Sequence, residues 1–244
     1  MAKASAKDGI VLVNGYALST YALNYEANAD VSKLDTTGFT DGCQNFIPGL
    51  PTANITTELF WDIDADNTWT ALHTIGTTGQ VSILPQGGTT GYDAVTMPFV
   101  SINFNPHASP SEAIKCGSIL FENYGTGTGL EFGDVLYHGT ITTSTTGTGV
   151  LDVTNAAATA YCGAALHIWT ASTSDTYAIK VQDSADDSTY NDLLSFTLNG
   201  SAVNAERVVV ASGSIDKYRR IVATRTGSAG NTLGLTVIFY RGPN

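Results

Sequence analysis

The sequence predicts an all-β protein of two tandem β-sandwich domains, with one short helix in each half. Three observations carry this. The apolar runs are strand-length, and several alternate with polar residues, the period of a half-buried strand. Only 14% of residues are charged and 43% are hydrophobic. With abundant Gly, Thr and Ser, that suits strands held against neighbours and not a disordered chain. The second half also echoes the first, in order. Gly9-Ile10-Val11-Leu12-Val13-Asn14-Gly15 returns as Gly133-Asp134-Val135-Leu136-Tyr137-His138-Gly139. Leu34-Asp35-Thr36-Thr37 returns as Leu151-Asp152-Val153-Thr154, and Asp66–Leu72 as Asp187–Leu193. Ser101–Pro106 has a looser counterpart in Leu235–Tyr240. The 244 residues suffice for two domains of about 120 residues, each able to bury a core. A doubled β domain suits a ring, since three chains supply six equivalent units.

Element by element, Ile10–Val13 is a short apolar strand closed by the turn dipeptide Asn14-Gly15. Ala22–Ala27 alternates and reads as a half-exposed strand. Thr36–Pro51 reads as a long loop, with Gly38, Gly42, Pro48, Gly49 and Pro51. It carries Phe39, Phe46 and Ile47, which either form a contact arm or tuck back onto their own domain. Ile55–Trp61 is a strong strand. Asp66 offers a helix cap, and Thr68–Thr74 reads as a short helix with Trp69 and Leu72 on one side. Gln80–Leu84, Thr96–Phe104 and Ile114–Asn123 return to strand. Gly125-Thr126-Gly127-Thr128-Gly129 is the best linker, placing the boundary between residues 1–124 and 125–244. Strands follow near Val135–Thr143, Ala164–Thr170 and Tyr177–Gln182. A second short helix is expected over Ser188–Leu194, with Asp187 as its cap. Strands near Ala205–Ala211, Tyr218–Thr224 and Leu233–Tyr240 finish the chain.

No residue pattern points to catalysis. His73, His107, His138 and His167 are isolated in sequence, and no Gly-x-Ser-x-Gly elbow is present. Asp62-Ile63-Asp64-Ala65-Asp66 begins like a calcium loop but lacks the following Gly and Glu, so a turn with a helix cap explains it better. Gly125–Gly129 has no Lys-Ser/Thr pair to make it a phosphate loop. Cys43, Cys116 and Cys162 are odd in number and read as free thiols. No cofactor or metal is expected, and the chain is not expected to be an enzyme. The longest apolar runs are too short for a membrane helix, and the first eight residues lack the apolar core of a signal peptide. A cytosolic folding site and no membrane anchor are therefore expected.

The formal charge is −11 and uneven. Residues 1–114 hold eleven acids and three bases, net −8; residues 115–244 hold eleven acids and eight bases, net −3. A net-acidic protein repels nucleic acid at long range, yet could form a surface that DNA slides past. Lys217, Arg219, Arg220 and the nearby Arg225 are the densest basic spot. They read as a nucleic-acid surface, a solvated face, or salt bridges to the acidic half of a neighbouring subunit; the last suits the charge asymmetry better.

Leu34–Phe39 followed by Asn45-Phe46-Ile47-Pro48-Gly49-Leu50 resembles the major tail tube proteins of long-tailed bacteriophages. So do Val181–Asp186, Ala205–Val208 and Tyr218-Arg219-Arg220. The resemblance is one of pattern over most of the chain. It implies a β-sandwich with a flanking helix, and hexagonal rings stacked into a tube that conducts the genome. It implies a loop reaching the adjacent ring, here Asp35, Thr36, Thr37, Gly38, Phe39, Phe46, Ile47, Pro48 and Gly49. Some members fuse two tube domains and form trimeric, pseudo-sixfold rings, as the repeat suggests here. Glu26 and Asp30 are the candidate lumen acids. The implied partners are further copies of the chain and tail-tip, terminator and tape-measure proteins, with genomic DNA passing unbound. The second copy of the loop, Thr154–Cys162, is shorter and lacks the Phe-Ile-Pro-Gly run. The other readings are a capsid or tail decoration protein and a carbohydrate-binding module, for which Trp61, Trp69 and Trp169 could form a sugar platform.

Overall fold

The computed structural model describes residues 8–37, 43–62, 68–125, 129–151, 158–159, 161–210, 214–227 and 230–241. The first half contains β1 (Ile10–Val13), β2 (Tyr16–Ala17), β3 (Ala22–Asp35), β4 (Phe46–Phe60), α1 (Thr68–Leu72), β5 (Thr78–Leu84), β6 (Asp93–Ser101), β7 (Pro106–His107) and β8 (Lys115–Asn123). Then come β9 (Glu131–Ile141), β10 (Thr145–Thr146), β11 (Val150–Leu151), β12 (Ala158–Thr159), β13 (Cys162–Thr170) and β14 (Thr176–Ser184). The chain ends with β15 (Asn191–Ser195), β16 (Asn204–Val210), β17 (Ser214–Ile215), β18 (Tyr218–Thr226) and β19 (Leu233–Arg241). The protein is all-β, as its alternation and apolar runs predict.

One sheet runs through both halves in the order β16-β13-β19-β9-β6-β5-β1-β2, all pairs antiparallel. Strands β3, β4, β7 and β8 branch from it through the β6–β8 pairing. The sheet curls until β16 packs beside β5 and β13 beside β2. A second sheet, β10-β18-β14-β15 with β11 on β18, covers the outer face of the second half. Strands β13 and β19 lie between layers and are buried on both faces, which is why their sequences are nearly continuous apolar runs. Strand β14 is covered on one face and alternates, with Tyr177, Ile179 and Val181 buried.

The apolar core falls into three clusters. One lies within the first half, around Ile55, Leu59, Val81, Met97, Phe99 and Phe121. One lies within the second, around Leu166, Ile179, Val181, Ile221, Val237 and Phe239. The third, Leu12, Leu84, Ala94, Val135 and Ile238, draws on both and fills the inside of the curl.

Two sequence expectations change. The first-half helix is present as α1, but Ser188–Leu194 is not helical. The Asp186 carboxylate accepts from the Ser188 and Thr189 amides, both at 2.9 Å, to close a tight turn, and Asn191–Ser195 then pairs with β14 as β15. The expected loop Thr36–Pro51 is largely a hairpin, since Phe46–Pro51 belong to β4 and pair with β3. Pro48 and Pro51 are tolerated because β4 pairs with β8 only from Asn54 onwards, leaving the other edge of this stretch free. The centre of the expected linker, Thr126-Gly127-Thr128, lies outside the described residues, as do Gly38 and Phe39 of the loop and residues 63–67 of the acidic turn.

Candidate functional site

Among the described residues, much of the β3–β4 hairpin is not covered by the core. Its base packs on the first-half core through Ala53, Ile55 and Leu59. Beyond Ala53 both of its faces are exposed. Seven residues at about 3.3 Å each carry the tip roughly 25 Å past the core. Val31, Leu34, Phe46, Ile47 and Leu50 lie on this bare stretch, with Phe46 and Ile47 each 50% exposed and Leu50 82% exposed.

The tip is closed by polar bonds. The Asp35 carboxylate accepts from the Thr37 amide at 2.9 Å and the Thr37 hydroxyl at 2.5 Å. Those bonds, the hydroxyl first, hold the Asp35 carboxyl below its ordinary pKa. The Asn45 amide donates to the Thr37 hydroxyl at 2.9 Å, and the Thr36 amide to the Asn45 carbonyl at 2.9 Å. A bulge between Val31 and Lys33 bends the arm. Gly49 sits opposite it, where an added Cβ would fall 2.2 Å from the Ser32 hydroxyl oxygen. Thus Asp35, Thr36 and Thr37 shape the tip, while Phe46, Ile47, Pro48 and Gly49 form one side of it.

Behind the arm, the ladder registers define an acidic face. Glu26 pairs with Thr56, Asn28 with Asn54, Asp30 with Thr52 and Asn24 with Glu58. Thr56 and Asn54 continue to Leu120 and Glu122 on β8. Paired residues share a face of a sheet. Asn24, Glu26, Asn28, Asp30, Thr52, Asn54, Thr56, Glu58, Leu120 and Glu122 therefore point together, away from the core side of Ile55, Leu59 and Phe121. Four of these ten are carboxylates and none is basic. Glu26 and Asp30 stand out from the sequence, being on one alternating strand. Glu58 and Glu122 join them only through cross-strand register, which alternation within single strands does not reveal. Among the described residues strand β3 has β4 as its one partner, leaving its other edge an open row of backbone groups.

The basic cluster is spent largely within the chain. Arg219 is buried, pairs with Asp134 at 3.3 Å and lies 4.5 Å from the Phe239 ring centroid. Arg225 pairs with the buried Asp175 at 3.0 Å. Arg220 donates to Gln182 and lies 3.7 Å from the Tyr190 ring centroid, and Lys217 lies 5.0 Å from that of Tyr218.

The fold brings Ser82 and His167 together, 85 residues apart, with Oγ to Nε2 at 2.8 Å. The Gly15 amide donates to Nδ1 of His167, so Nε2 carries the proton and donates to Ser82. A general base would need to accept from the serine. The ring is fully buried, and burial pushes its pKa down to about 3. This is a structural bond across the inside of the curl. Beside it Glu131, buried, pairs with Arg207, which also donates to Tyr161 at 2.6 Å. Among the described residues no three His, Cys, Asp or Glu side chains converge to hold a metal ion, and no helix is long and apolar enough to cross a membrane.

No protein-family model matches the sequence, and no curated protein matches it. Among solved structures the chain is similar to one in the virion of a native gene transfer agent particle, at 16% identity. That match covers 53% of this chain and 98% of the other, with a TM-score of 0.43. A chain in the tail of an empty gene transfer agent particle matches at 13% identity over 53% and 98%, with a TM-score of 0.42. The Dit protein of SPP1, described as a paradigm of the hub adsorption apparatus in phages infecting Gram-positive bacteria, matches at 11% identity. It covers 96% of this chain and 99% of its own, with a TM-score of 0.37. These superpositions are loose and say nothing of this chain's role.

Proposed function

We propose that this chain is a structural virion protein of a bacteriophage tail, assembling into rings that stack as a tube through which genomic DNA passes. The observation that carries the reading is the β3–β4 hairpin with β8 beside it: one open strand edge, one acidic face and a bare apolar tip. A long open edge invites aggregation unless another chain covers it. Pairing of β3 with the next copy would close a ring. The acidic face of Glu26, Asp30, Glu58 and Glu122 would then line the bore, where like charge keeps phosphates from sticking. The tip would reach the adjacent ring. Residues 1–124 and 125–244 act as the two ring units of each chain, so that three chains complete a ring. The resemblance of Leu34–Phe39 and Asn45–Leu50 to tail tube proteins supports the same reading. The work is physical, with no bond made or broken. Lys217 and Arg220 are the members of the basic cluster left to meet a neighbouring subunit. Tail-tip, terminator and tape-measure proteins would be its partners at the ends and inside.

Negative-stain electron microscopy over a concentration series tests this. Hollow tubes or stacked rings with three-fold symmetry are expected. Monomers or trimers that never stack, even with tail-tip proteins supplied as initiators, would overturn it in favour of a decoration protein.

A further inference from the structure

We propose that the bulge of Gly49 and Leu50 is the joint that aims the hairpin tip, turning it off the acidic face and fixing the angle at which one ring meets the next. The inference rests on the tube reading and names the residues that position its inter-ring contact.

The ladder changes step across the joint. Val31 pairs with Pro51 and Lys33 with Pro48, so Gly49 and Leu50 together oppose Ser32. An extra residue on one strand bends the ribbon there and sharpens its twist. It also exchanges the faces of β4. Counted back by twos from Thr52, Phe46 would share the side of Glu26 and Asp30. Past the bulge Ile47 pairs with Leu34 instead, and Phe46 with Asp35. Leu34 lies four residues beyond Asp30 on β3, so Leu34 and Ile47 continue the acidic side. A straight arm would leave this apolar pair in water, in line with the bore. A bent arm carries it off that side towards the adjacent ring.

The angle is set locally. Strand β4 pairs with β8 only from Asn54 to Phe60, so among the described residues no third strand holds the bulge. Two-stranded ribbons twist most freely, and their course follows the residues within them. Pro48 and Pro51 bracket the bulge with rings that fix φ. The Ser32 hydroxyl donates across it to the Leu50 carbonyl at 3.3 Å. Glycine leaves room for that bond. A Cβ on Gly49 would fall 2.2 Å from the Ser32 hydroxyl oxygen, 3.1 Å from the Ser32 carbonyl oxygen and 3.4 Å from Cγ of Leu34. Leu50 itself is 82% exposed, so its deletion removes the bulge without opening the core.

The chain supplies a reporter at the tip. Cys43 is exposed, whereas Cys116 and Cys162 are buried and burial pushes both thiols up to about 11. Nitroxides on Cys43 and on Ser118→Cys, an exposed position of β8, therefore read the direction of the arm in the unassembled chain. Electron spin resonance should find one narrow distance between them. Deleting Leu50 keeps the flanking pairs, and should move that distance by about 3 Å, one residue's rise, or more. Ser32→Ala and Gly49→Ala should broaden it, while Ser32→Thr, which keeps the hydroxyl, should not. In tubes seen by cryo-electron microscopy, the deletion should change the turn from ring to ring or prevent stacking, with the urea midpoint of the chain unchanged. An unmoved distance, or tubes with the original turn, would overturn the joint and leave the tube reading standing. Wild-type chains that form no tubes would overturn both.

Discussion

His167 is held neutral by burial and by bonds from Gly15 and to Ser82, with no charged partner among the described residues. The sign of its effect on stability follows. Its folded pKa lies near 3, below the ordinary 6.5 of the unfolded chain. Below 6.5 the unfolded state takes up a proton that the native state refuses, so stability is full above that pH and declines towards pH 3. Urea titrations between pH 7 and 4 should show this slope, and His167→Gln should flatten it while lowering stability at pH 7. An unchanged slope would mean that other groups set the acid response. Gly15 is the second single-residue test. Its φ is +89°, and an added Cβ would lie 2.6 Å from the backbone of Asn204 and Ile168. Gly15→Ala should cost roughly 2 kcal/mol or more, read from the shift in urea midpoint. Neither residue's partners are legible in the sequence. Asn14-Gly15 announces a turn, but nothing in its spacing says that the turn lodges against strands more than 150 residues later. Arg219 fails to be read for the same reason, since a basic run looks exposed until the fold supplies Asp134.

The hairpin is where the sequence is most informative among the elements. Alternation over Ala22–Ala27 marks out a strand, and the apolar residues set among Gly and Pro after Thr36 pick out the segment as either an arm or a loop tucked onto its own domain. What they do not convey is that the arm is itself extended β-structure, because Pro48 and Pro51 argue against a strand unless one edge is known to be free. The misread helix at Ser188–Leu194 has a related cause. An Asp that gathers amides two and three residues ahead serves a tight turn as well as a helix start, and only the pairing of β15 with β14 decides between them. Two predictions belong to this scale. Burying Phe46 and Ile47 contributes about 1.5–3 kcal/mol each when complete. The double variant Phe46→Ser/Ile47→Ser should fold normally by circular dichroism and form no tubes; tubes of unchanged length would sink the idea. Tubes assembled from Glu26→Lys/Glu122→Lys should retain short duplex DNA in low salt and release it in high salt. Wild-type tubes should retain none, and a bore indifferent to these changes would mean that the acidic face lies elsewhere.

Across the whole molecule, the repeat read in the sequence does not convey how the halves are joined. Gly125–Gly129 reads as a spacer between independent units, yet β9 hydrogen-bonds to β6 on one side and β19 on the other, making a single sheet of both. Sequence periodicity describes each strand's faces but not its neighbours, so a strand shared between halves leaves no trace in it. The Asp66–Leu72 echo also diverges in structure, since Thr68–Leu72 is helical and its counterpart enters β15. A protease site placed at Thr126–Thr128 and then cut should leave the two fragments co-eluting, held by the β6–β9 ladder and the shared cluster of Leu12, Leu84, Val135 and Ile238. Separation on size exclusion would show the halves to be independent. The shared strand also bears on how the molecule meets heat. With β9 hydrogen-bonded to both halves, neither has a private melting point. Calorimetry should record one endotherm, its van't Hoff and calorimetric enthalpies equal, so that damage to either half is felt as a loss of heat tolerance by the whole chain.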